Sequence, residues 1–170
     1  MRTRKARLAD APRIHELIAE YARDEILLPR SLAEICENIR DFVVVEVQDK
    51  VIGCGALHFY GQDLAEICSL AVAGPTQGRG AGRRLVAALR AEAEQHRVDR
   101  VCLFTRIPDY FARLGFVPVP HQHLPEKIWK DCLKCPRFNR CDETAMVFAE
   151  VPSRAEVPGP AFAVLRGLPG

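Results

Sequence analysis

The sequence predicts a single α/β domain, and three observations carry that expectation. β-rich runs and segments of helical period follow one another in the order β-α-α-β-β-β-α-β-α-β-β. At the centre of that order, Leu64 to Arg84 reads as a strand, a loop of small residues and a helix start. A chain of 170 residues with 48% hydrophobic content is also long enough to bury one substantial core.

Taken in order, Arg4 to Leu8 reads as a first strand, and Asp10 then caps a helix whose apolar positions Ile14, Leu17, Ile18 and Tyr21 keep helical spacing. Ile26-Leu27-Leu28-Pro29-Arg30 is an apolar loop that ends in a charge. Ser31 with Glu34 forms a capping box for a second helix through Ile35 and Ile39. Phe42 to Val47 and Val51 to Tyr60 are β-rich and separated by Gln48-Asp49-Lys50, which predicts a hairpin. Leu64 to Val72 supplies the next strand. The third helix starts near Gly80 and should bury Leu85, Val86, Leu89 and Ala93. Val101 to Thr105 is a short strand. Pro108 opens a helix that Gly115 ends, one residue before a strand through Val119. His121 to Asp142 is an insertion rich in Cys, Lys and Pro, and Glu143 to Val151 closes the sheet. The domain therefore spans 1–151, and 152–170, with four prolines and three glycines in VPSRAEVPGPAFAVLRGLPG from 151, reads as a loosely held tail.

Composition excludes several functions. A net charge of +2 leaves no electrostatic footprint for nucleic acid. No apolar run approaches the ~18 residues of a membrane span, and MRTRKARLADAPR lacks the apolar stretch of a secretory signal. A cytoplasmic location is the expectation. Seven cysteines in such a chain imply buried, metal-bound or redox-active thiols before a disulfide framework. The sequence leaves a homodimer open.

The central loop carries the chemistry. Gly78, Gly80 and Gly82 leave the backbone bare at a helix start with no acidic residue nearby, so N–H groups face outward at a positive helix end. That is a ready site for a phosphate or pyrophosphate. The two usual phosphate loops do not fit. Gly-Lys-Ser/Thr is missing, and Gly78-Arg79-Gly80-Ala81-Gly82-Arg83 lacks the last glycine of the dinucleotide fingerprint.

What it does resemble is the acetyl-CoA loop of the GNAT N-acetyltransferases, Gln/Arg-x-x-Gly-x-Gly/Ala, present as Gln77-Gly78-Arg79-Gly80-Ala81-Gly82. Upstream, Ala65-Glu66-Ile67-Cys68-Ser69-Leu70-Ala71-Val72 resembles the family's fourth strand. Downstream, Tyr110-Phe111-Ala112-Arg113-Leu114-Gly115-Phe116 resembles its closing motif. The resemblance implies a mixed, mostly antiparallel sheet with helices on both faces and with strands four and five splayed apart. The pantetheine arm of acetyl-CoA would lie in the splay and pair with main-chain groups of Leu70, Ala71 and Val72, as an added strand would. Its pyrophosphate would reach Gln77 to Gly82, with Arg79 and Arg83 as candidates for the outer charge.

The family's chemistry needs a proton acceptor, because an ordinary amine is protonated at neutral pH. Glu66 falls where histone-type members carry their catalytic glutamate, and a substrate-ordering carboxylate is its alternative. The tyrosine that usually protonates the leaving thiolate is replaced by Phe111, which should pack against pantetheine. Tyr110 is adjacent, turned by about 100°, and is the candidate to act in its place, with no general acid as the alternative.

Longer segments resemble the acetyltransferase domain of N-acetylglutamate synthase in its short, free-standing form. They are Ile26 to Ser31, Asp41 to Glu46, Val51 to His58 and Asp63 to Ile67. A departure is Cys68, where an arginine is common. The resemblance implies glutamate as acceptor and the first step of arginine synthesis as setting, with another small amine, a protein N-terminus or a non-catalytic acetyl-CoA-binding module as alternatives. Two carboxylates call for paired cationic donors. Arg30 matches the family's glutamate-binding arginine. Lys127 and Lys130, on the amphipathic Leu124 to Cys132 segment, are candidates for the second carboxylate, with a solvated face as the bland alternative. Cys132-x2-Cys135-x5-Cys141 with His121 or His123 has the ligands for tetrahedral zinc, but no second paired half-site follows, so the sequence assigns no metal. His58 is expected to be a packed core histidine.

Overall fold

The computed structural model describes residues 1–135 and 138–148. Seven strands form one sheet in the order β1-β2-β3-β4-β5-β7-β6, built from β1 (Arg2–Lys5), β2 (Phe42–Val47), β3 (Lys50–Phe59), β4 (Leu64–Val72), β5 (Arg100–Thr105), β6 (Phe116–Pro118) and β7 (Thr144–Phe148). Every neighbouring pair is antiparallel except β4 and β5.

Helices cover both faces, as side-chain alternation along the buried strands requires. Phe42 and Val44 of β2 face α1 (Ala11–Arg23) and α2 (Leu32–Glu37), where Ile14, Leu17, Ile18 and Ile35 complete one core. Val43 and Val45 face the other way, against Leu85, Val86, Leu89 and Ala93 of α3 (Ala81–Gln95), with Phe111 of α4 (Pro108–Ala112) in the same cluster. The buried stripe of α3 is thus the one its spacing predicts.

Local chemistry explains the boundaries. Gln48 and Asp49 both take positive φ (49° and 59°), the conformation of a two-residue type I′ hairpin, so β3 starts at Lys50 and not at Val51. The capping box is formed in full: Ser31 Oγ accepts from the Glu34 N–H and Glu34 accepts from the Ser31 N–H. The second helix nevertheless ends at Glu37, and Ile39–Asp41 is a separate 3₁₀ turn. The first strand lies earlier than expected, because Asp10 draws the chain after Lys5 into a 3₁₀ turn. Its carboxylate accepts from Arg4 at 2.7 Å and 3.0 Å and from the Arg7 N–H at 2.7 Å instead of capping α1. The last strand is Thr144–Phe148. The expected continuation through Val151, and the tail 152–170, lie outside the described residues.

Two features of β4 place the site. Its pairing with β5 covers only Leu64, Ala65 and Glu66, opposite Arg100, Val101 and Cys102, and beyond that point the two strands diverge. Opposite Gly55 the register shifts, so that Ser69 and Leu70 face one residue, and Ser69 takes a positive φ of 52°. This is a β-bulge. Gly55 makes room for it, since a Cβ there would fall 2.8 Å from Leu70 Cδ1 and 3.1 Å from Leu89 Cδ1.

Candidate active site

The divergence of β4 and β5 opens two adjoining cavities. One, of about 680 Å³, runs from the bulge to the glycine loop and is walled by Ile67, Leu70, Val72, Leu103 and Phe111. The other, of about 490 Å³, lies between Arg30, Glu66, Lys127 and the cysteine-rich segment.

The first cavity has the shape and lining of a site for an elongated ligand with an anionic end. Its far wall contains Gln77, Gly78, Gly80, Ala81, Gly82 and Arg83. Gly78 and Gly80 take positive φ (73° and 84°), and a Cβ on either would meet no protein atom within 4 Å. Backbone conformation, not packing, demands glycine there. Gly80 precedes α3, whose first N–H groups and positive end face the loop. Gln77 is fixed by donating to the Tyr21 hydroxyl, which itself donates to the Val72 carbonyl. Leu70 and Val72 line the cavity, whereas Ala71 is buried and pairs with Cys54. Of the two arginines expected at the anionic end, Arg83 lines the cavity and Arg79 does not.

Phe111 is buried, lines the first cavity and meets Phe116 edge-on with ring centres 5.9 Å apart. Tyr110 also lines the first cavity. Its hydroxyl lies against the start of α3, where a Cβ on Gly82 would approach within 2.5 Å of it. Burial holds this phenol above its ordinary value, against the opposing charges of Arg83 and Arg113, so it keeps its proton.

The second cavity is organised by a charged network. Glu66, only 4% exposed, accepts at Oε2 from the Tyr60 hydroxyl at 2.7 Å and from Lys127 Nζ at 2.9 Å. The single phenol proton of Tyr60 is shared between Glu66 and Asp131, and Asp131 also accepts from Lys127 at 3.3 Å. Burial and then the neighbouring Glu66 charge push the Tyr60 phenol up, so it acts as a donor. Burial alone would lower Lys127, but Glu66 and Asp131 outweigh it and hold the ammonium above its ordinary value. Lys127 projects from α5 (Pro125–Lys130) and so fastens that short helix over the sheet. Lys130 does not line the cavity. It contacts His58 Nε2 at 3.1 Å, and His58 is no core residue: partly exposed, it faces Asp41 at 3.3 Å through Nδ1.

Arg30 behaves differently. It lines the second cavity, its Nε donates to Ser69 Oγ at 2.8 Å and its Nη2 approaches Cys68 Sγ at 3.7 Å. No carboxylate ion-pairs with it among the described residues. Glu143 stands where the cavities meet and lines both. Burial raises its carboxyl above the ordinary value, with Arg106 opposing.

All seven cysteines are free, and burial pushes Cys68, at the junction, up to about 12, which leaves it protonated and a poor nucleophile. Cys132, Cys135, Cys141 and His121 all line the second cavity, yet among the described residues no three His, Cys, Asp or Glu side chains are placed to hold a metal ion.

Several of these residues escape sequence reading. Asp131 carried a signal, as an acid four positions after Lys127 on a helix. Tyr60 and Glu143 carried none, because each reads as an ordinary strand-end residue until the sheet brings it to Glu66 or to the splay.

Comparison with known proteins agrees with this geometry. Residues 11–116 match the model of the acetyltransferase (GNAT) family. The chain is 43% identical over 144 residues to an uncharacterised N-acetyltransferase of Chlorobaculum tepidum, covering 85% of this chain and 93% of that one. It is 39% identical over 119 residues to an amino-acid acetyltransferase of Mycobacterium tuberculosis, covering 68% of each. Its fold superposes with a TM-score of 0.78 on N-acetylglutamate synthase of Neisseria gonorrhoeae solved with coenzyme A and N-acetyl-glutamate. That match has 30% identity and covers 86% of this chain but 34% of the other. Glycine loop, splayed strands and sequence similarity converge, and the chain belongs to the acetyltransferase (GNAT) family of enzymes that use acetyl-CoA.

Proposed function

We propose that the enzyme acetylates the α-amine of an amino acid, with L-glutamate as the favoured acceptor, as N-acetylglutamate synthase does in the first step of arginine synthesis. The observation that carries this reading is Arg30: a forked guanidinium facing the second cavity, near Glu34 but with no carboxylate ion-paired to it among the described residues. Such a group holds a carboxylate through two charge-assisted bonds. Lys127 supplies the second cation. An ammonium has three donors, two of which go to Glu66 and Asp131, and the third is left for a ligand carboxylate. The names of the Mycobacterium and Neisseria proteins support an amino-acid acceptor.

Acetyl-CoA occupies the first cavity in this reading. Its pyrophosphate meets the loop from Gln77 to Arg83, and its pantetheine lies along Leu70 and Val72. The acceptor nitrogen attacks the thioester carbonyl from the second cavity in a ternary complex, and the protonated Cys68 argues against an acetyl-enzyme. Glu66 accepts the amine's proton through Oε1, directly or through water, while Tyr60 and Lys127 fix the carboxylate through Oε2. Tyr110 supplies the hydroxyl on the cofactor wall for the leaving thiolate.

A second reading has its own observation. The second cavity is lined by two cations, Arg30 and Lys127, against three acids, Glu66, Asp131 and Glu143. That balance favours an amino acid with one carboxylate. Arg30→Ala tests the shared core of both readings. Each hydrogen bond to a charged group contributes roughly 1.5–3 kcal/mol, so the acceptor KM should rise at least about tenfold, while the acetyl-CoA KM holds. Arg30→Lys should recover only part of the loss. An unchanged acceptor KM would remove Arg30 from the site.

A further inference from the structure

The two cavities share six wall residues, Leu27, Ile67, Cys68, Ser69, Phe104 and Glu143, and Glu143 is the one charged residue among them. A nitrogen that attacks a thioester held in the first cavity must stand at this shared wall, because reacting atoms need to come within about 3–3.5 Å. Arg30 lines only the second cavity. An amino acid whose carboxylate lies on Arg30 therefore presents its ammonium toward Glu143.

The other acids of the cavity already hold a cation, and Glu66 keeps only Oε1 for the proton transfer. Glu66 and Asp131 share Tyr60 and Lys127. The Glu143 carboxylate makes no hydrogen bond or ion pair among the described residues. The charged groups that act on it are Arg106 after β5, Asp142 beside it, Glu66 on β4 and Lys127 on α5. Arg106 is itself taken up by Asp142 at 2.7 Å and by the carbonyls of Glu25 and Ile26. A half-buried carboxylate left in this state feels Arg106 and Lys127 only at a distance, and burial without a directly paired counter-charge is costly. The backbone that carries it is held firmly. His121 Nε2 donates to the Glu143 carbonyl at 2.9 Å, and the next residue, Thr144, pairs with Thr105.

We propose that Glu143 is the ammonium-recognising residue of the acceptor site: its carboxylate receives the α-ammonium at the junction of the cavities while Arg30 holds the carboxylate, so the pair selects α-amino acids and aims the nitrogen at the thioester. This rests on the amino-acid reading given above and adds the residue that enforces it. It also explains how a cavity with an excess of acids suits an amino acid, since one of the acids is matched by the substrate's own cation.

The substrate and its product differ at this point. The N-acetyl amino acid keeps its carboxylates and has no ammonium. Glu143→Gln should therefore weaken binding of the amino acid at least about tenfold, measured as acceptor KM and by calorimetry with CoA present. Binding of the N-acetyl product should change less than about twofold, and the acetyl-CoA KM should stay. Glu143→Asp, which keeps the charge on a shorter arm, should lie between. Equal losses for substrate and product would mark Glu143 as merely structural, and unchanged acceptor binding would also overturn the proposal. The parent enzyme offers a readout independent of any variant's folding. The des-amino analogue of the acceptor, with the same carboxylates, should bind at least about tenfold more weakly than the amino acid. Equal binding would contradict the assignment. A parent that acetylates no amino acid overturns the acceptor reading and this proposal together, whereas turnover of amino acids with Glu143→Gln unaffected overturns this proposal alone.

Discussion

Glu66 divides its carboxylate between two tasks. Oε2 is spent on Tyr60 and Lys127, and Oε1 takes no bond from any described residue. If Oε1 takes the amine's proton, Glu66→Gln should lower kcat about 100-fold at neutral pH and leave the acetyl-CoA KM unchanged. The rate should recover at a pH where the amine is already neutral. Lasting loss at high pH would make Glu66 an ordering residue, and an unchanged kcat at neutral pH would take it out of the mechanism. At this scale the sequence was informative where a residue acts through its own neighbours in the chain. The glycine loop could be read directly, and Arg30, singled out by the resemblance, does line the second cavity. Lys130 could not be separated from Lys127, because the turn of α5 decides which cation faces the cavity, nor Arg79 from Arg83, because one lies in the loop and the other on α3. Glu143 was invisible for a stronger reason: the role proposed for it depends on the junction of two cavities, and nothing in the chain just before β7 marks it.

At the scale of elements, the strand, loop and helix from β4 to α3 behave as one device. The β-bulge at Ser69 and the parting from β5 after Glu66 turn an ordinary strand into an edge that faces a cavity. The glycine loop then delivers the start of α3 to the same cavity. Gly80 bears the sharpest demand, with φ of +84° and open space where a side chain would project. Valine disfavours that backbone region and would fill that space. Gly80→Val should lower acetyl-CoA affinity at least about tenfold by calorimetry while the far-ultraviolet circular dichroism stays native. Parent-like affinity would detach the loop from the cofactor. Period and turn chemistry made these elements legible. The splay could be expected only from the resemblance, since strand divergence is a property of a pair. The 3₁₀ turn at Leu8–Asp10 was missed because Asp10 answers to Arg4 across a turn and not to the helix it precedes.

Across the whole molecule, the β1 edge of the sheet is fastened by a partly buried charge cluster. Arg4 joins Asp10 at 2.7 Å and Glu46 at 2.8 Å, tying β1 to β2 and to the turn before α1. The hydrogen bond from Arg4 chiefly, and that from the Arg7 N–H, hold the Asp10 carboxyl below its ordinary value of 3.8, against the opposing effect of burial. A carboxyl depressed in the folded state adds stability that is present above its unfolded value and lost as pH falls through the folded one. Asp10→Asn should therefore lower the melting temperature at neutral pH, and the gap from the parent should close as pH drops below the ordinary carboxylate range. A gap that does not depend on pH would mean that the ionised pair contributes nothing. This network lies away from the two cavities, so activity at neutral pH should survive the change.

The proposed reaction itself is tested most directly by steady-state turnover of acetyl-CoA by the parent enzyme across glutamate, glutamine, lysine and a peptide amine. The geometry of Arg30, Lys127 and the junction predicts that glutamate gives the highest kcat/KM, with glutamine next and the side-chain and peptide amines far behind. Glutamine ahead of glutamate would favour the single-carboxylate reading. Lysine or a peptide amine ahead of both would contradict an α-amino-acid acceptor and leave the acetyl-CoA-dependent chemistry without its proposed substrate.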